Sequence, residues 1–155
     1  MSAIYTNQFA QSVVQGDLDL GIMQTGSVAG ILSPNNGSSI LAGAPAKIDT
    51  TITTGYVINF LQAAQTDIAV GFFVRTAKQA TFNLLDQVQV ALAPLPVLWL
   101  TANATITPGQ AVQNDSTGAF VQPLASGKQR GIALDYAING GMTRVLLLAP
   151  LAAAS

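Results

Sequence analysis

Turn-forming residues cut the stretch from Trp99 to Leu148 into pieces of strand length. The cuts fall at Pro108-Gly109, at Asn114-Asp-Ser-Thr-Gly118, at Ser126-Gly127 and at Asn139-Gly-Gly141. Between them lie short apolar or alternating runs: Ala111 to Gln113, Ala119 to Gln122, Gly131 to Ile138 and Met142 to Leu148. Gly and Asn supply the positive φ that tight hairpin turns require, and Asp and Ser bond back onto their own backbone. Short runs separated by turn clusters at regular spacing predict an all-β domain, a β-sandwich or small barrel of jelly-roll or tulip-like form.

The chain before Trp99 reads in the same way, with weaker punctuation. Residues 1–26 are polar with isolated apolar residues and read either as an extended N-terminal arm or as a simply disordered terminus, with one short strand expected where Asp17, Leu18, Asp19 and Leu20 alternate. Ile4, Tyr5 and Phe9 give that arm an apolar handle for docking. The β body then spans residues 27–155. Ser33 to Ser39 is a loop. Expected strands are Ile40 to Ile48, Tyr56 to Leu61 with its β-branched and aromatic content, Ile68 to Val74, and Leu84 to Leu92. Arg75 to Ala80 is a turn or short helix, and Pro94 with Pro96 makes a stiff break, because prolines do not sit in central strands.

The two halves of the body, 41–92 and 107–149, resemble each other. Thr54 to Leu61 aligns with Thr117 to Leu124, Ile68 to Val74 with Ile132 to Ile138, and Val88 to Leu92 with Val145 to Ala149. Asp49 and Asp115 hold similar places ahead of a Thr-Gly turn.

Composition narrows the function. Half of the 155 residues are hydrophobic and 8% are charged, against about a quarter charged in a typical soluble domain. So few charges make a poor solvated surface, which leaves a membrane or a surface covered by other protein. The longest apolar run, near Val145 to Ala154, is broken by Pro150 and falls short of the ~20 residues a spanning helix needs. The N-terminus lacks the basic start and apolar core of a signal peptide. Burial in an assembly is the better account. The six Lys and Arg are scattered and the net charge is −1, so no basic face invites nucleic acid.

The chain has no His, Cys or Glu. Ser-His-Asp and Cys-His chemistry and a His-ligated metal are therefore impossible within it, and no catalytic, cofactor-binding or metal-binding residue is expected. Asp17 and Asp19 share a side of their strand but read as a solvated face. Asn114 to Gly118 resembles half of a calcium loop without the later acidic ligand, and reads as a hydrogen-bonded turn. Trp99, the single Trp, is expected in the core rather than at a binding site.

Several segments, spread over roughly residues 41–149, share a layout more than invariant residues with a known family. Thr107-Pro-Gly-Gln-Ala-Val-Gln-Asn-Asp115, Gly118-Ala-Phe-Val121, Gly131-Ile-Ala-Leu-Asp135 and Gly140-Gly-Met-Thr-Arg-Val-Leu-Leu147 resemble the capsid decoration, or structural cement, proteins of tailed bacteriophages. Val97-Leu-Trp-Leu100 resembles that family's Trp-bearing strand, and Ile68 to Val74 with Asp86 to Val90 resembles an earlier unit of the same kind. The chain departs from the family where a Gly-Asp pair becomes Leu85-Asp86 and Gly109-Gln110. The resemblance implies an all-β virion protein without enzymatic activity. It would be a homotrimer on the outer capsid surface that binds major capsid protein. From the arm's own apolar residues, the protein is expected to stabilise the shell by bridging major capsid protein subunits, with Ile4, Tyr5 and Phe9 as arm contacts. The alternative is a ligand-binding β module, such as a sugar-binding head or fibre domain.

Overall fold

The structure is a computed structural model that describes residues 15–16, 26–76, 79–92 and 96–148. Twelve strands follow one another: β1 Ser27–Leu32, β2 Ile40–Leu41, β3 Pro45–Ile48, β4 Asn59–Gln62, β5 Gly71–Phe73, β6 Thr81–Phe82, β7 Gln87–Leu92, β8 Val97–Thr101, β9 Ala111–Asn114, β10 Val121–Pro123, β11 Gly131–Ala133 and β12 Met142–Leu147. The described residues contain one helical piece, a 3-10 turn at Pro34–Asn36 capped by the Ser33 hydroxyl. The protein is all-β, as the turn spacing predicts.

In the first half, β1, β4, β3, β5 and β7 close into a barrel. Every pairing in it is antiparallel except β1 with β4, which run parallel. In the second half β10, β9, β11, β12 and β8 form a five-stranded sheet in that order. Strand for strand this is the order of the barrel, with β4, β3, β5, β7 and β1 corresponding to β10, β9, β11, β12 and β8. The parallel closure is reduced here to a single bridge between Ala102 and Val121. The short ribbon of β2 and β6 turns Ile40 and Phe82 into the first core.

Register makes the correspondence specific. Gly71 lies opposite Ala46 and Leu92, and Gly131 opposite Val112 and Leu147. A methyl on Gly71 would strike the Ala91 carbonyl oxygen and Val90 Cγ1, and one on Gly131 the Leu146 carbonyl oxygen and Val145 Cγ1. Both glycines stand where two backbones come too close for a side chain. These matches are displaced from those of the sequence comparison, which set Gly71 against Asp135.

Each half has its own core. Leu32, Phe60, Phe73, Phe82, Val88 and Val90 fill the barrel, with the Phe60 and Phe73 rings edge to face at 6.3 Å. Leu98, Leu100, Ile106, Val112, Val145 and Leu147 form the second core, together with Phe72. Neighbouring side chains of a strand point to opposite faces, so β5 sends Phe73 into one core and Phe72 into the other. All three of its residues are buried, which explains an unbroken apolar run there.

Several expected strands are shorter than the sequence suggests. Ile40 to Ile48 is broken by a turn at Ala42-Gly43, and the Ile68 to Val74 run is extended only at β5. Leu84 to Asp86 is a turn ahead of β7. Tyr56, Val57 and Ile58 are loop and not strand, and only the end of the Tyr56 to Leu61 run pairs. β-branched and aromatic content favours a strand only where another strand offers a ladder and burial; these three residues are exposed, and their link to a strand is the Ile58 carbonyl, which accepts from Ile31 N–H at 3.0 Å.

Candidate functional site

The loop joining β3 to β4 is the most exposed apolar feature of the described residues. Asp49 builds its base. The carboxylate accepts from the Ser33 hydroxyl, from Asn35 Nδ2 at 3.0 Å, from Thr51 N–H at 2.9 Å and from the Thr51 hydroxyl at 2.6 Å. These donors, the Ser33 hydroxyl foremost and then Thr51, hold the Asp49 carboxyl well below the usual carboxylate range. Asp115 makes the same turn in the second half, accepting from Thr117 N–H and hydroxyl and from Asn103 Nδ2.

Beyond those matching bases the two loops differ. The second is short, running from Ser116 to Phe120, and is held on two sides: Gln62 Nε2 of the first half donates to Thr117 O at 2.6 Å, and Gln15 Nε2 of the N-terminal segment donates to Ala119 O at 2.6 Å. The first runs from Thr50 to Ile58, turns at Gly55 with φ 100°, and carries a fully exposed Tyr56 with Val57 54% exposed. Ile48 at the end of β3 is 47% exposed beside it, and Ile58 is also exposed. The result is an uncharged apolar tip at one end of the barrel, supported on a rigid turn.

The seam between the halves is polar. Buried Arg130 donates from Nε to Asn114 Oδ1 and from its terminal nitrogens to the Asp67, Ala64 and Gln65 carbonyls. Burial lowers its pKa, opposed by the nearby Asp67 charge. A cleft of about 250 Å³ opens here between Asn36, Gln62, Ala63 and Ala64 on one side and Ser116, Thr117 and Gly118 on the other.

The candidate contacts Ile4, Tyr5 and Phe9 lie outside the described residues, as do Asp17 and Asp19. Trp99 does not join the core. It is half-buried on the outer face of β8, opposite Arg144, whose guanidinium lies 5.6 Å from the ring centroid and pairs with Asp135. The alternation that puts Leu98 and Leu100 inside puts Trp99 outside. Asn114 to Gly118 is the hydrogen-bonded turn expected, with Gly118 at φ 78°. Among the described residues no group of three or more His, Cys, Asp or Glu is placed to hold a metal. The sequence signal of the apolar tip is Asp49-x-Thr51 followed by Gly55, the same wording that marks the turn at Asp115.

No known protein family matches the sequence, and no curated protein does. The fold has a solved counterpart. It is similar to a crystal structure described as the head fiber gp8.5 N base in bacteriophage phi29, with a TM-score of 0.56 and 18% identity. The likeness covers 82% of this chain and 98% of that one, so nearly all of the fibre base is represented here.

Proposed function

We propose that this protein is a structural component of a bacteriophage virion that sits on the outer capsid surface and bridges neighbouring major capsid protein subunits. The observation that carries this reading is the likeness to a phage head fibre base over 82% of the chain. The composition supports it, since 8% charged residues suit a surface covered by other chains. The exposed tip of Ile48, Tyr56, Val57 and Ile58 supports it as well, because contiguous exposed apolar groups mark contact sites. Burying such groups gains roughly 25 cal/mol per Å², and binding only the assembled shell stabilises it by mass action. In this reading the body is a trimer, the arm around Ile4, Tyr5 and Phe9 adds a second contact, and no catalysis is involved.

Cryo-electron microscopy of expanded capsids incubated with the protein tests the placement. The expected result is added density on the outer surface, straddling subunit boundaries. A second reading, a sugar-binding module, is favoured by the polar cleft lined by Asn36, Gln62, Ser116 and Thr117. Binding to a glycan array with no binding to capsids would select it.

A further inference from the structure

The two halves close their parallel seams differently. In the barrel, β1 and β4 are joined by Ile31 N–H to Ile58 O at 3.0 Å and Ser33 N–H to Phe60 O at 2.8 Å. In the second half β8 and β10 hold the matching positions. The second bond has its counterpart, Asn103 N–H to Val121 O at 2.7 Å, next to the Ala102–Val121 bridge. The counterpart of the first would run from Thr101 N–H to Ala119 O. Both of these groups bond instead to one side chain: Gln15 Oε1 accepts from Thr101 N–H at 3.3 Å, and Gln15 Nε2 donates to Ala119 O at 2.6 Å.

The chemistry of the gap selects an amide. One side presents a donor and the other an acceptor, and a primary amide carries both, with one more N–H to spare. That N–H goes to Ala42 O at 3.1 Å, in the turn between β2 and β3. The network also fixes which end is oxygen, because Nε2 faces two carbonyls and Oε1 faces an N–H. The adjoining backbone is fitted to the same place. Gly16 N–H donates to Trp99 O at 2.8 Å, and Arg75 N–H donates to Gly16 O at 3.1 Å. Gly16 has φ 82° and packs against Ala42 with no room for a side chain.

We propose that the β8–β10 seam is a docking site for the N-terminal segment of the same chain, in which the Gln15 side-chain amide takes the place of a missing backbone hydrogen bond and bolts the second unit shut. The bolt depends on the fold alone and stands whether or not the protein binds capsids.

Hydrogen exchange of the full chain by NMR tests it, because Thr101 N–H reports on the bolt. Its neighbour Ala102 N–H bonds across to Gly141 O on the β12 side, so Thr101 N–H points toward Gln15. In Gln15→Ala the Thr101 amide is expected to exchange about fivefold faster or more, the change carried by one ordinary hydrogen bond, while Asn103 and Val145 keep their protection. Gln15→Glu, which keeps an acceptor and loses both donors, is expected to loosen the segment as well, seen as faster proteolysis within residues 1–26. In the unaltered protein the Gln15 side-chain amide protons should be protected and lie close to the Thr101 amide proton. Unchanged Thr101 exchange in both variants, or a Gln15 amide that exchanges freely in the unaltered protein, would overturn the proposal.

Discussion

Leu85 has φ 70° and is 62% exposed. An L-residue with a side chain adopts that conformation at a cost of about 1 kcal/mol or more. The counterpart of Leu85 in the second half, in the turn ahead of β12, is Gly140, at φ 81°. The surrounding bonds match as well, with Leu85 N–H donating to Leu32 O and Gly140 N–H to Ala102 O. Leu85→Gly is therefore expected to raise stability by about 0.5–1 kcal/mol, the strain relieved less the added freedom of the unfolded chain, measured by urea denaturation. The carboxylates make a second residue-scale prediction. Asp49 is held low by Ser33 and Thr51, Asp67 by Lys47 and the Ala64 N–H, and Asp135 by Arg144. A carboxyl with a depressed folded pKa contributes stability that is complete above its unfolded value, about 3.9, and is lost as pH falls through the folded one. With no His, Cys or Glu in the chain, the melting temperature should stay nearly flat from about pH 8 to pH 5 and fall below about pH 4. A marked drop between pH 7 and 5.5 would contradict that assignment.

At the scale of elements, strands were legible where one face is buried and the other wet. β12 alternates along its length and β7 as far as Val90, with Val88 and Val90 or Thr143, Val145 and Leu147 turned inward. They were less legible where burial is two-sided or absent. β5 reads as a longer apolar run because its residues serve two cores, and Tyr56 to Ile58 reads as a strand although it is exposed loop, tied to β1 at the Ile58 carbonyl. Two element-scale predictions follow from the closest and the most open places. Gly71→Ala and Gly131→Ala should destabilise by similar amounts, about 1–3 kcal/mol each, since each methyl meets a carbonyl and a valine of the next strand; unequal costs in calorimetry would contradict their equivalence. Tyr56→Ser with Val57→Ser, both exposed, should change stability by less than about 0.5 kcal/mol. The same pair should weaken capsid binding at least about tenfold, as loss of an aromatic contact does.

For the whole molecule, all-β character was readable from turn residues, which act locally. Closure was not. It depends on parallel pairing of β1 with β4, between strands separated by β2, β3 and their turns, and neither strand carries a local mark of its partner. The seam between the halves was illegible for the same reason, because Arg130 and Gln15 are ordinary polar residues until folding places carbonyls around them. The functional reading rests on the layout of roughly 41–149 and on the scarcity of charge, and the all-β fold it implies is similar to that of a phage fibre base. Because the tip is uncharged, capsid association should vary little between low salt and about 0.5 M salt, where surface charge pairs are screened. The most direct measurement is co-sedimentation of the full-length protein with expanded, undecorated capsids over a concentration series. Saturable binding at a fixed ratio to the major capsid protein, with a rise in the temperature at which the shell comes apart, is the expected result. An absence of binding at micromolar protein, with the shell's disruption temperature unmoved, would contradict the account.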